Sequence, residues 1–254
     1  MRTKQVNSYK KRAVISSLII LVVIPALIFL GATLWGGSGL KLSLFSRTVV
    51  LRPYYLTSLL ILLCTFLPFA LSFEKRRPQA REIVVVSVLC ALAVAGRAVF
   101  FMLPQFKPIT AIVIISGVAL GGQAGFVVGA VSGFVSNFFF GQGPWTPWQM
   151  FSFGVIGFLA GVLAKKGWLP RRRVPLAVFG GAAALIVYGG IMNFSSLLLA
   201  APEINWGYLL FYYGAGLPMD LIHAASTVVF LLLLSKPMIE KLDRIQLKFG
   251  LMRE

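Results

Sequence analysis

Residues 109–150 read ITAIVIISGVALGGQAGFVVGAVSGFVSNFFFGQGPWTPWQM, and no charged side chain interrupts them. Helix-length apolar runs of this kind belong in a bilayer, where each backbone amide must find its partner within its own segment. Gly117, Gly121, Gly125, Gly129 and Gly133 recur every four residues, and the last three form a GxxxGxxxG face with Ser132 and Ser136 beside it. Small residues let helix backbones approach closely in lipid, which supplies no hydrophobic drive for association. The run ends in NFFFGQGPWTPWQ, residues 137–149. Gly141, Gly143, Pro144 and Pro147 break regular helix there, because glycine loosens the backbone and proline removes an amide donor. The result is a short, rigid aromatic loop at a membrane edge. It suits either an interfacial anchor or a grip on a small molecule.

The rest of the 254-residue chain follows the same pattern. It is 58% hydrophobic and 12% charged, as a polytopic membrane protein is. A span needs roughly 20 apolar residues to cross a hydrocarbon core of about 30 Å. Eight segments approach that length: 13–35, 54–73, 83–103, 109–120, 124–140, 148–164, 174–201 and 206–234. The fourth is short, about 18 Å at 1.5 Å per residue, so it must borrow from its flanks, thin the bilayer or be broken. Period-2 alternation is too weak for a barrel. The expected fold is all-α and integral to the membrane. An accessory two-helix hairpin with a basic N-terminus (1–80) precedes a six-span block (81–236) and a cytoplasmic tail (237–254).

A net charge of +17 would point to nucleic acid in a soluble protein. Here the basic residues cluster at alternate ends of the spans: Arg2 to Arg12, Lys75 to Arg81, Lys165 to Arg173 and Lys236 to Lys248. The positive-inside rule then puts both termini in the cytoplasm, with the basic residues setting topology and touching anionic lipid. The N-terminal basic region and apolar run are expected to be a retained anchor, because the run is too long for a cleaved signal. Cys64 and Cys90 lie inside spans and suggest neither a disulfide nor a metal site.

Ionisable groups inside the spans are few: Arg97, Asp220 and His223. A charge at mid-bilayer costs at least about 2.5–3.5 kcal/mol, so each needs a partner or a cavity. Asp220 and His223 share a helical face. Gly214, Gly216 and Pro218 are expected to kink or break the helix before them, leaving Asp220 near the start of a half-helix. There it would cap the break, pair with Arg97 or His223, or touch a ligand. A second group gathers at the outward ends of the six-span block: Phe101, Gln105 and Lys107; Asn137, Gln142, Trp145, Trp148 and Gln149; Asn193 and Tyr212. Amides among aromatics suit a large, mostly neutral organic ligand. No GxxxxGK[ST] loop is present, so ATP hydrolysis by that route is excluded, and one histidine leaves no HExxH zinc site.

From Arg81 to about Lys236 the chain resembles the substrate-binding S component of an energy-coupling factor (ECF) vitamin transporter. The resemblance rests on REIVVVSVLCALAVAGR, the long stretch 106–150 and GLPMDLIHA. It implies a six-helix membrane fold that binds a vitamin near the extracellular face, with Arg97, Asp220 and the outward residues above as the ligand contacts. It implies no catalytic residue, cofactor or metal. The implied partners are a transmembrane coupling subunit and two cytoplasmic ATPases in a bacterial cell membrane, the S component toppling to carry its ligand inward. It assigns contact with the coupling subunit to an AxxxA face, here Ala91 and Ala95. The closest subgroup resemblance is to the cobalamin type, with riboflavin, folate or a queuosine precursor as alternatives. A competing reading is an integral-membrane enzyme using Asp220 and His223. The leading hairpin is extra to a six-span core.

Overall fold

The computed structural model describes residues 13–33, 40–44, 47–51, 53–73 and 80–250. The basic clusters at 2–12 and 75–77 lie outside them. The described residues form eight helices: α1 (Ala13–Thr33), α2 (Pro53–Phe73), α3 (Ala80–Val99), α4 (Ile109–Leu120), α5 (Gly122–Phe140), α6 (Thr146–Lys165), α7 (Arg173–Ala200) and α8 (Trp206–Phe249). Six are long and apolar enough to cross a membrane, and α2 and α4 carry shorter apolar stretches. Between α1 and α2 the chain pairs β1 (Leu40–Leu44) with β2 (Arg47–Leu51) in antiparallel register, Leu42 opposite Val49. This local hairpin falls where a plain loop was expected. LKLSL alternates with period 2, and RTVVL is rich in β-branched residues.

Helix α4 sits at the centre, with eleven of its twelve residues buried. Its short length therefore needs no adjustment by lipid, because protein surrounds it. Gly121 turns the chain directly into α5 at φ 95°, a left-handed conformation that favours glycine. The glycine faces pack α4, α5 and α6 on one another. A Cβ at Gly125 would lie 2.6 Å from the Gly117 Cα and 2.7 Å from the Gly157 carbonyl carbon; one at Gly129 would lie 2.7 Å from the Gly154 nitrogen. The stripe thus serves packing within the bundle. Ala91 and Ala95, by contrast, are exposed on α3, with Ala98 beside them.

Helix α8 differs from expectation. It runs unbroken through Gly214, Gly216 and Pro218 to Phe249, about 66 Å at 1.5 Å per residue. Pro218 deprives the carbonyl of residue 214 of its amide partner, and the helix continues past it without a break. Asp220 is therefore a mid-helix residue, not the first turn of a half-helix. The helix also continues past residue 236. Ile239 and Leu242 are buried, Gln246 Nε2 donates to the Ala119 carbonyl (3.0 Å), and Asp243 pairs with Arg171 (2.6 Å). These contacts tie the far end of α8 to α4 and the α6–α7 turn.

The leading hairpin packs as part of the same body. Ile20 and Ile24 of α1 and Tyr54 and Ile61 of α2 share one buried cluster with Phe126, Trp148, Phe151 and Phe158.

Candidate functional site

Polar side chains converge inside the end of the bundle formed by the last turn of α3 and the starts of α4 and α6. Arg97 is the anchor. Its Nη1 donates to Ser136 Oγ (2.5 Å) and Asn137 Oδ1 (2.9 Å), and its guanidinium stands 4.3 Å over the Phe140 ring. Lys107 lies over the same ring at 5.2 Å. Burial, and then the nearby Arg97 charge, holds the Lys107 ammonium below its usual range.

The loop after α5 is stitched closed by its own side chains. Asn137 Nδ2 donates to Thr146 Oγ1 (3.2 Å), Thr146 Oγ1 to Gln142 Oε1 (2.9 Å), and Gln142 Nε2 to the Phe134 carbonyl (2.9 Å). Thr146 opens α6, so this network fixes where Gln149 enters the bundle.

Gln149 leads to a second cluster. Its Nε2 donates to Tyr188 Oη (2.7 Å), and the Tyr188 ring meets His223 edge-on with centroids 4.4 Å apart. His223 Nε2 and Thr110 Oγ1 share a hydrogen bond of 2.7 Å. Tyr188 reaches this position from a π-helical stretch of α7, Ala183–Gly189. Such widened turns occur often at functional sites. Among the described residues, two buried polar atoms here have no hydrogen-bond partner: Gln149 Oε1 and His223 Nδ1.

Asp220 belongs to a third group. It accepts from Asn193 Nδ2 (2.7 Å) and backs onto Gly189, where a Cβ would lie 2.6 Å from the carboxylate. The expected pairings with Arg97 and His223 are not formed. Arg97 is held by α5 and His223 by α4, while α7 supplies the partner of Asp220. No hydrogen bond joins the carboxylate to the imidazole.

Arg97, Asn137, Gln142, Gln149 and Lys107 thus gather around one end, and Asn193, on Tyr188's own helix, holds Asp220 of α8 beside it. Other sequence candidates lie apart. Phe101 is exposed and touches Phe140. Gln105 is exposed at φ 53°, and Trp145 packs on Gly143 at the surface. Tyr212 meets Phe211 on the outer part of α8. Trp148 is completely buried, but against α2 rather than in the polar cluster. Sequence reasoning missed Tyr188, Ser136 and Thr146 as members of the site. A lone phenol in the apolar run of α7 was the available signal.

Residues 78–239 match the family described as ECF-type riboflavin transporter, S component, over well more than half of the chain. The chain belongs to this S-component family. The hairpin α1–α2 lies outside the matched residues. The S component is also 28% identical over 125 residues to a UPF0397 protein of Vibrio atlanticus, covering 46% of this chain and 68% of the relative. A UPF0397 protein of Aliivibrio fischeri is 32% identical over 140 residues, covering 49% and 74%. One from Aliivibrio salmonicida is 30% identical over 106 residues, covering 40% and 56%. No solved structure matches.

Proposed function

We propose that this S component captures a planar heterocyclic vitamin at the Arg97–Gln149–His223 end, riboflavin being the first candidate, for uptake powered by partner ATPases. The observation that carries the reading is the pair of unpartnered buried atoms flanking Tyr188, Gln149 Oε1 and His223 Nδ1. Leaving a buried polar atom unpaired costs about 1–3 kcal/mol. When the Thr110 hydroxyl donates to Nε2, His223 Nδ1 carries the proton and becomes a donor. Gln149 Oε1 is an acceptor. A ligand offering an N–H beside a carbonyl, as the flavin imide does, satisfies both. The family description supplies riboflavin by name. Cobalamin, expected from the sequence, presents flexible carboxamides around a much bulkier ring system.

Under this reading the exposed Ala91–Ala95 face of α3 receives the transmembrane coupling subunit, and two ATPases act from the cytoplasm, the side of both termini. Backbone-close docking requires small residues on the surface, and these two alanines are exposed while the glycine stripe is consumed internally.

The test is titration of the purified full chain with riboflavin, followed by flavin fluorescence, and with cobalamin, followed by calorimetry. Riboflavin should bind without ATP, and Gln149→Leu should weaken it about tenfold or more, the loss of roughly one hydrogen bond to a buried group. Binding of cobalamin alone transfers the site to a corrinoid. Absence of binding to either refutes the vitamin assignment.

A further inference from the structure

The hairpin outside the family match buries polar side chains as well as apolar ones. Tyr54, Thr57, Ser58 and Thr65 of α2 are all buried. Tyr54 stacks flat on Trp148, with centroids 5.8 Å apart and planes 5° from parallel. Its hydroxyl lies 3.1 Å from Ser195 Oγ of α7. Ser58 Oγ accepts the Trp148 indole N–H at 2.8 Å. The indole's only hydrogen-bonding atom is therefore committed to the hairpin. Beside it a groove of about 270 Å³ opens to the surface, lined by Ile28, Trp148, Val187, Gly190, Phe194 and Tyr213.

Trp148 precedes Gln149 in the first turn of α6, and Thr146, the centre of the loop network, is two residues earlier. Whatever holds the indole holds the entrance to the polar cluster. Helix α2 packs on α6 and α5, whereas α3 packs on α5 and α4. The hairpin therefore leaves the Ala91–Ala95 face open.

We infer that Tyr54 and Ser58 are positioning residues that brace the 141–149 entrance through Trp148. The inference rests on the substrate reading for its purpose, but its test does not need a ligand. Hydrogen–deuterium exchange is measured on the purified full chain carrying Tyr54→Ala, Tyr54→Phe or Ser58→Ala. In Tyr54→Ala the amides of 141–149 should exchange about tenfold faster, and in Ser58→Ala several-fold faster, as local opening becomes easier. Tyr54→Phe keeps the stack and should stay near the unsubstituted rate. Residues 91–98 of α3 should not change in any variant.

Unchanged protection of 141–149 in both Tyr54→Ala and Ser58→Ala overturns the inference. Equal acceleration of 91–98 also overturns it, because that is general loosening. If Tyr54→Ala does not fold, Ser58→Ala decides alone. Riboflavin titration of the same variants is the second readout. It should weaken in Tyr54→Ala and recover in Tyr54→Phe; equal affinity in both overturns the link to the site. Failure of the unsubstituted chain to bind riboflavin, with the exchange pattern as expected, refutes the substrate assignment and leaves the brace standing.

Discussion

Two small-residue stripes run through this S component, and one substitution in each should separate their roles. Gly125→Ala puts a Cβ 2.6 Å from the Gly117 Cα and 2.7 Å from the Gly157 carbonyl carbon. Carbon atoms rest about 3.5–4.0 Å apart, so α5 must retreat by about 1 Å from two neighbours at once. Both opposing atoms are backbone, which cannot rotate away. Overpacking of this kind costs about 1–3 kcal/mol. Ala95→Leu adds a larger side chain, but on an exposed position of α3, where the expected change in stability is within about 0.5 kcal/mol. It should instead hold a docking helix farther off and weaken assembly with the coupling subunit at least about tenfold, near 1.4 kcal/mol. Stability is read by thermal or SDS-induced unfolding in detergent micelles, and assembly by co-purification with the coupling subunit and ATPases. The reasoning fails if Ala95→Leu destabilises the isolated protein as much as Gly125→Ala does. It fails equally if Gly125→Ala is neutral, since the three-helix contact would then not be tight.

Arg97→Met should lower riboflavin affinity about tenfold or more, because Asn137 and Ser136 lose their shared donor; Arg97→Lys should rescue little, since an ammonium lacks the planar fork, and full rescue by lysine in the same titration would contradict this. Asp243→Asn removes the exposed Arg171 ion pair and should cost less than about 1 kcal/mol in the unfolding assay, with vitamin binding unchanged.

Much of this fold was legible because the bilayer leaves the sequence few options. Charge-free runs of fixed length mark spans, and each of the eight expected segments has its helix, with boundaries displaced mainly at α3 and α8. Proline and glycine misled at 214–218, where a break was expected and the helix continues. Their effect depends on what surrounds the freed carbonyl, and a single chain does not display that. The β1–β2 pair was too short for its alternation to stand out. The hairpin's role was present but unread. Tyr54, Thr57, Ser58, Ile61 and Thr65 recur at helical spacing inside a leucine-rich run, and all five are buried. Polar residues on one stripe of an apolar helix announce a protein-facing side. The polar cluster was legible in part: Arg97, Asn137 and Gln149 stood out as rare polar groups, whereas Tyr188 depends on a π-helical turn that no residue pattern announced.

The helix that carries Arg97 also carries Ala91 and Ala95, and this arrangement constrains how substrate and partner can communicate. Arg97 is turned toward Ser136 and Asn137 at the closed loop, while Ala95, two residues earlier, is exposed. Within hydrocarbon the backbone bonds of α3 have no alternative partners, so the helix moves as a rod rather than flexing between these positions. Any shift of Arg97 toward or away from the loop displaces the alanine face with it. The leading hairpin stands across the bundle on α6, bracing the loop from the side that α3 does not touch. The 141–149 loop thus lies between α3, which carries an exposed alanine face, and a helix pair outside the family match. Only the first of these links the loop to the exposed alanine face.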